Sequence, residues 1–528
     1  IIMKQLKIGI VAISLIISVS SCTKFLKEDS KSSQPVASYF ETLSQAQSAV
    51  NNLYAQGTGP GSFFSSHGVY DATYSFNMDT YSGLANNPVY QNQSIGFLQN
   101  LTQNGSNCDS YVGSMWSNFY NHIANCNTII KAVQNSSFLT SAQQTPLIAT
   151  AKFFRAIDYY YLVRLFGPVP LILTPYTSVA NIDVPRASVD TVYNSIVSDL
   201  TWAIDSSTLA DVPMGSNGNQ ISKGTVEVVL AEVYLTMAGY PLQLGNAYYT
   251  KALSTANELL QSTGGYSLFT NSGGTTYANK LASHSYDQGS EYLYFQEYNS
   301  TISSSPYPEW TLPNTFSTNV PNSNIKVAYT LITTPWVPST NLLNMYNKTN
   351  DIRVQNYQFY HSSFTYQTTQ GTSATINFSP CPYRWFDSTA IFSTATSSKY
   401  ADCYRMADAY LIAAEAANDL GMDPTQYLAP ILQRAYTSVP AIPASQPDRN
   451  SFILAERYRE LAMEGHFWFD LIRTRLYPDA DANNNVTFSP LIGHSNGRGQ
   501  SFSQTDLLLP LSITQLALDP KLTQNPGY

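Results

Sequence analysis

Glu460 and Glu464 stand four residues apart in DRNSFILAERYRELAMEGHFWFDLIRTR, residues 448–475, with Arg457 one helical turn before Glu460. Two carboxylates at that spacing share one side of a helix, where they could divide general acid and general base work. Beside an arginine the same spacing also builds an ion network that supports packing. Arg457 is already in reach, so Arg457, Glu460 and Glu464 are expected to form a structural ion network and not a catalytic set. Glycoside hydrolysis needs two carboxyls about 5 to 10 Å apart across a cleft, a separation no spacing gives directly. No H-E-x-x-H occurs, and Cys108, Cys126, Cys381 and Cys403 form no C-x-x-C. No catalytic residue, metal centre or cofactor is expected, and pairs Cys108 with Cys126 and Cys381 with Cys403 are open choices for disulfides in an oxidising compartment.

The other chemistry available is recognition. Charged residues make up only 12% of the 528, against roughly 25% in average domains. Aromatics are plentiful, with 38 Tyr, 24 Phe and 6 Trp. The formal charge of −8 excludes nucleic acid as a natural partner. A weakly charged, aromatic-rich chain suits neutral ligands such as sugars, whose apolar faces stack on rings. Candidate ligand contacts are Tyr74, Tyr81 and Tyr90 in the loop region 57–107, and Tyr307 and Trp310 in the region 264–399. Asn77, Asn86 and Asn87 add amides that both donate to and accept from hydroxyls.

The elements that must position these residues are mostly helical. In 448–475, Asp448 can cap a start, and Leu454, Tyr458, Leu461, Gly465, Trp468 and Ile472 recur at helical spacing, which predicts one long amphipathic helix. Helical patterns also cover 43–55, 111–134, 141–166, 189–204, 223–238 and 246–261, each closed by Gly, Pro, Asn or Ser. Paired helices rich in Ala and large aromatics resemble tetratricopeptide repeats of uneven spacing. Between 264 and 399 the chain turns to Gly, Ser, Thr, Asn, Pro and aromatics, a loop-rich irregular region of the kind that carries ligand contacts.

The N-terminal stretch has Lys4 and Lys7, the apolar run 8–19 and then Val19-Ser20-Ser21-Cys22. That pattern is a signal peptide over 1–21, too short to span a bilayer. Cys22 sits where a bacterial lipobox is acylated, and 22–35 reads as a lipidated tether to a single body over 36–528.

The string ERYRELAMEGHFWFDLIR, 456–473, resembles the ER-x-x-EL-x-x-EG-x-x-x-x-DL-x-R signature of the SusD/RagB family of surface nutrient-binding lipoproteins, with His466 where that family usually has Arg. AKFFRAIDYYYLVRLFGPVP at 151–170 and the segment 222–234 are similar to two further blocks of the family. Asp351-Ile352-Arg353 resembles its D-P-R element, 399–416 its R-Y-A-D helix, and 506–528, ending in QNPGY, its terminus. The resemblance implies a mostly α, SusD-like fold of tetratricopeptide-like helices plus a loop-rich ligand region. It further implies a non-catalytic lipoprotein on the outer membrane of a Gram-negative cell, which binds a neutral oligosaccharide and delivers it to a SusC-like TonB-dependent transporter. A peptide-binding role in the same uptake system and a helical glycoside hydrolase are the alternatives.

Overall fold

The computed structural model describes residues 40–55, 78–86 and 94–528, apart from 177, 179–181, 207, 314–319 and 329–335. The leader, Cys22 and the tether lie outside the described residues. So do Tyr74, Asn77, Asn87 and Tyr90.

Six helices of three or more turns open the described chain, with a short helix Ser94–Gln99 between the first two: α1 Leu43–Ala55, α2 Asp109–Gln134, α3 Ser141–Phe166, α4 Val189–Asp205, α5 Lys223–Ala238 and α6 Asn246–Leu260. They match the expected helices to within about two residues because their ends are chemically marked. Thr140 and Gln143 form a capping box at the start of α3, and Gly167, at φ +72°, ends it. Ser222 accepts from the Thr225 N–H at the start of α5. Each helix packs on the next, and α1 on both α2 and α3, as repeat helices do. Helix α5 is the centre of this stack, since every residue from Gly224 to Ala238 is buried.

After α6 the stack is interrupted by the loop-rich region and then resumes. Strand β1 (Tyr292–Gln296), the hairpin of β2 (Tyr360–Gln367) and β3 (Ser373–Pro382), and strand β4 (Ala401–Arg405) lie within or at the end of it. Antiparallel pairing of β1 with β4, from Tyr292 opposite Arg405 to Gln296 opposite Ala401, closes the excursion. The stack then continues with α7 (Met406–Asp419), which packs on α6, and α8 (Thr425–Ala435) and α9 (Gln446–Glu460), which pack on α7. Helix α10 (Phe467–Thr474) leads into the antiparallel hairpin β5 (Leu476–Ala480) and β6 (Val486–Pro490). The molecule is mostly α with small two-stranded sheets. No described helix is long and apolar enough to cross a membrane.

Two sequence expectations fail here. The long helix of 448–475 is two helices, capped by Ser445 and not Asp448, because the chain breaks after Glu460. Met463 and Gly465 take φ values of +65° and +83°, which no helix continues through. The four cysteines are free thiols. Cys108 precedes α2 and Cys126 lies five turns along it, so ~1.5 Å of rise per residue holds them far beyond disulfide reach.

The main hydrophobic core runs from α1 to the C-terminal segment. A satellite core of Leu312, Val320, Tyr366 and Ile391 lies under the β2–β3 hairpin, with Ala374, Ile376 and Phe378 packed against it. Along β3 burial alternates with the strand period, so one hairpin face is fixed by packing.

Candidate functional site

The break after Glu460 assembles the ion network with different partners from those expected. Arg405, at the junction of β4 and α7, reaches Glu460 at 2.7 Å, Glu464 at 2.8 Å and Glu291 at 3.1 Å. Arg434 pairs with Glu291 and Glu460, and Arg353 with Asp351, Glu456 and Glu460. Glu464 also meets Arg384. Arg457 instead holds Asp470 at 2.8 Å and faces Glu232 at 3.6 Å. The break is the physical reason for the exchange. It carries Glu464 off the helical register and returns Asp470, on α10, to Arg457.

Burial alone would raise the Glu460 carboxyl, but Arg434, Arg405 and Arg353 hold it well below the ordinary range. For Glu464 burial outweighs Arg384 and Arg405, and its value rises. Glu460 is fully buried with three guanidiniums on its oxygens, so it has neither access nor a free proton site for acid–base work. The network is scaffold.

His466 lies beside it, with Nε2 3.6 Å from Asp408 and Nδ1 3.7 Å from Glu232. Burial lowers its affinity for a proton, but Asp408 and Glu232 more than offset this and push it up to about 9. Fully buried Asp79 accepts from the Gly465 N–H at 3.2 Å. Burial pushes its carboxyl up to about 8, against the opposing pull of that N–H and of His466.

Both shifts disfavour the fold as pH rises. A folded value above the unfolded one for His466 gives stability that is present below about 6.5 and lost through about 9. Asp79 ionises freely near 4 when unfolded but only near 8 when folded, so stability falls across that interval. Asp79→Asn removes the second contribution. Its melting temperature relative to the parent is expected to rise between pH 5 and pH 8, by the equivalent of a few kcal/mol at ~1.4 kcal/mol per unit. An offset independent of pH would contradict the assignment.

Three of the aromatics proposed from sequence as ligand contacts are core residues. Tyr81 is fully buried, donates its hydroxyl to the Asp506 carbonyl at 2.7 Å and packs its ring 4.1 Å from Trp468. Tyr307 and Trp310 are buried in an aromatic block with Trp385 and Trp336, at centroid distances of 5.0 and 4.8 Å. Loop location did not distinguish packing from display. Asn86 is partly exposed, and its Oδ1 accepts from Arg498 at 2.7 Å.

Partly exposed rings in the loop-rich region include a contiguous group, Tyr357, Tyr383, Phe386 and Phe378. Tyr383 and Phe386 stack at 5.1 Å with 19° between planes, and Tyr357 meets Tyr383 edge-on at 5.4 Å. Tyr357 holds φ at +64°, a conformation rare for a bulky residue. Beneath them His361, buried on β2, touches Tyr383, Phe386 and Phe378 at 5.0 to 5.4 Å. Its Nε2 meets the Thr311 carbonyl, which can only accept, so Nε2 carries the hydrogen. Burial, partly offset by that bond, lowers His361 to about 4 and keeps it neutral at pH 7. The satellite core fixes the hairpin below, and Asn356 and Ser363, joined at 2.8 Å, flank the rings with hydroxyl and amide groups. This aromatic shelf is suited to stacking on a ring with apolar faces.

Other chemistry-bearing groupings are less apt. A cleft of 390 Å³ between α1 and β1 is lined by Asn51, Asn219, Glu297 and Asn299, but Asn219 and Glu297 already bond each other at 2.9 Å. Gly493-His494-Ser495-Asn496-Gly497 has the G-x-S-x-G spacing of a nucleophile elbow. It forms a bridged turn, and both nitrogens of His494 are engaged, Nδ1 by the Ser495 carbonyl at 2.7 Å and Nε2 by Asp479 at 2.9 Å. No ring nitrogen is left to take a proton from Ser495. Packing of α2 on α3 brings together His122, Cys126 and Asp158, whose ligand atoms lie within 4.8 Å, a juxtaposition that spacing along the chain did not reveal. They offer three of the four donors of a structural zinc site, and two of the three are already paired, His122 with Asp158 at 2.9 Å.

Residues 266–528 match the family model described as the SusD family, and residues 24–235 match one described as starch-binding, associating with the outer membrane. A SusD-like protein of Formosa agariphila is 26% identical over 234 residues, 43% of this chain and 42% of the relative, so the alignment spans under half of that relative's length. A SusD superfamily protein from Parabacteroides distasonis superposes with a TM-score of 0.79 at 26% identity, covering 92% of this chain and 99% of that one. A laminarin-binding SusD-like protein shares the fold, with a TM-score of 0.68 at 19% identity over 92% of this chain and 99% of its own. The chain belongs to the SusD/RagB family, and one of the two models it matches describes proteins that associate with the outer membrane.

Proposed function

We propose that the protein captures a neutral oligosaccharide on the Tyr357–Tyr383–Phe386 shelf and delivers it, uncleaved, to a SusC-like TonB-dependent transporter. The observation that carries this reading is the stacked, partly exposed pair Tyr383 and Phe386, held by its own satellite core. Acylation of Cys22, after removal of 1–21, would hold the body over 36–528 at the cell surface through the tether 22–35. A β-glucan is the first ligand to try, because a fold relative binds laminarin.

The test is calorimetric titration with laminari-oligosaccharides, malto-oligosaccharides and neutral peptides, with chromatography of the ligand afterwards. Saturable heat with intact oligosaccharide is expected. Heat from peptide alone would move the assignment to peptide uptake, and shorter sugars in the eluate would make the protein a hydrolase. Copurification of a barrel transporter with a tagged chain is the companion expectation for the partner.

A further inference from the structure

Buried arginines in this protein are ion-paired almost without exception among the described residues, from Arg155 with Asp199 to Arg473 with Glu415. Arg164 is the exception. Among the described residues no carboxylate lies within 4 Å of it; its guanidinium sits 3.6 Å from the Tyr160 ring and 3.8 Å from Phe469, and Nε donates to the Tyr160 carbonyl. The field of Glu232 reaches it only from beyond ion-pair distance. A second arginine, Arg475, is partly buried, has no carboxylate partner among the described residues, and places its guanidinium 5.1 Å from the Tyr240 ring. Its Nη1 is buried without a hydrogen bond.

These two arginines line the same cavity, of 450 Å³, between α3, α4, α10 and the C-terminal segment. That volume is in the range of small-molecule sites. Its walls are apolar, with Val163, Val189, Tyr193, Ile472, Leu507 and Leu508, and exposed Tyr240, Pro526 and Gly527 stand at its mouth. Two of the polar groups on its wall are already committed. The Asn525 amide donates to the carbonyls of Phe166 and Leu509, and the Thr236 hydroxyl is bonded to Tyr160 at 2.7 Å.

We propose that this cavity is a second binding site, separate from the aromatic shelf, for a small carboxylate with an apolar body. The carboxylate pairs with Arg475 and the apolar part lies along Val163, Val189 and Leu508. A partly buried guanidinium with no carboxylate partner among the described residues, set against an apolar wall, is suited to a charge-assisted contact with a carboxylate that enters the cavity.

The test titrates the full chain calorimetrically with octanoate, with octanol as the uncharged counterpart. Saturable binding of octanoate, at least tenfold tighter than octanol, is expected. Arg475→Gln, which keeps the side chain's length class and the backbone conformation, is expected to weaken octanoate tenfold or more while leaving octanol and the melting temperature unchanged. Leu508→Trp, which fills the cavity, is expected to abolish both. Absence of octanoate binding by the parent, equal affinity for octanol, or full affinity in Arg475→Gln would each overturn the proposal.

Discussion

Arg405→Ala is expected to destabilise the protein by several kcal/mol, enough to lose most soluble, folded material. Three carboxylates converge on this one guanidinium, and the Arg405, Glu460 and Glu291 side chains are fully buried. Removing one partner of a buried pair costs about 3–5 kcal/mol, since the remaining charge stays out of water uncompensated. Arg434 and Arg353 still hold Glu460, but Glu464 would keep only Arg384. His494→Gln is the contrast. His494 and Asp479 pair with side chains 19% and 45% exposed, and solvent-accessible pairs contribute less than about 1 kcal/mol. Equal, small losses for the two variants in a denaturant titration would contradict the scaffold role of the network.

That network shows what the sequence could and could not tell. The repeat-like helices were legible because their ends carry local signals, the Thr140 and Ser222 caps and the Gly167 stop. The E-R-x-x-E-L-x-x-E-G string announced charged residues at partly desolvated positions, and they are buried and ion-paired. Their partners were hidden, because Arg353, Arg384, Arg405 and Arg434 reach the site from segments distant in sequence. The single long helix was a false inference from periodicity. Apolar spacing continues through 461–466, while the backbone leaves the helix to aim Glu464 at Arg405 and the Gly465 N–H at Asp79. For the ligand site, aromatic type and loop location singled out Tyr307 and Trp310, which are buried. No local signal separates a displayed ring from a packed one. The nearest was strand alternation around β3, which marks one face of the hairpin as fixed.

Loss of the shelf is expected to leave the fold intact and weaken glycan binding. Tyr357 and Tyr383 are partly exposed, outside the main core and the satellite core, so truncating them opens no sealed cavity. One aromatic stacking contact contributes about 0.5–1.5 kcal/mol beyond burial. Removing two from a shared ligand is therefore expected to lower affinity by roughly tenfold to a hundredfold. Tyr81 and Trp310 would answer differently, because their truncation costs core packing first.

The measurement that bears most directly on the account is the affinity of Tyr357→Ala/Tyr383→Ala for a laminari-oligosaccharide, set beside the parent's, with melting temperatures recorded on the same samples. The account predicts an unchanged melting temperature and an affinity at least tenfold weaker, with the oligosaccharide recovered intact. Full affinity in the double variant would contradict it and move recognition elsewhere on the molecule.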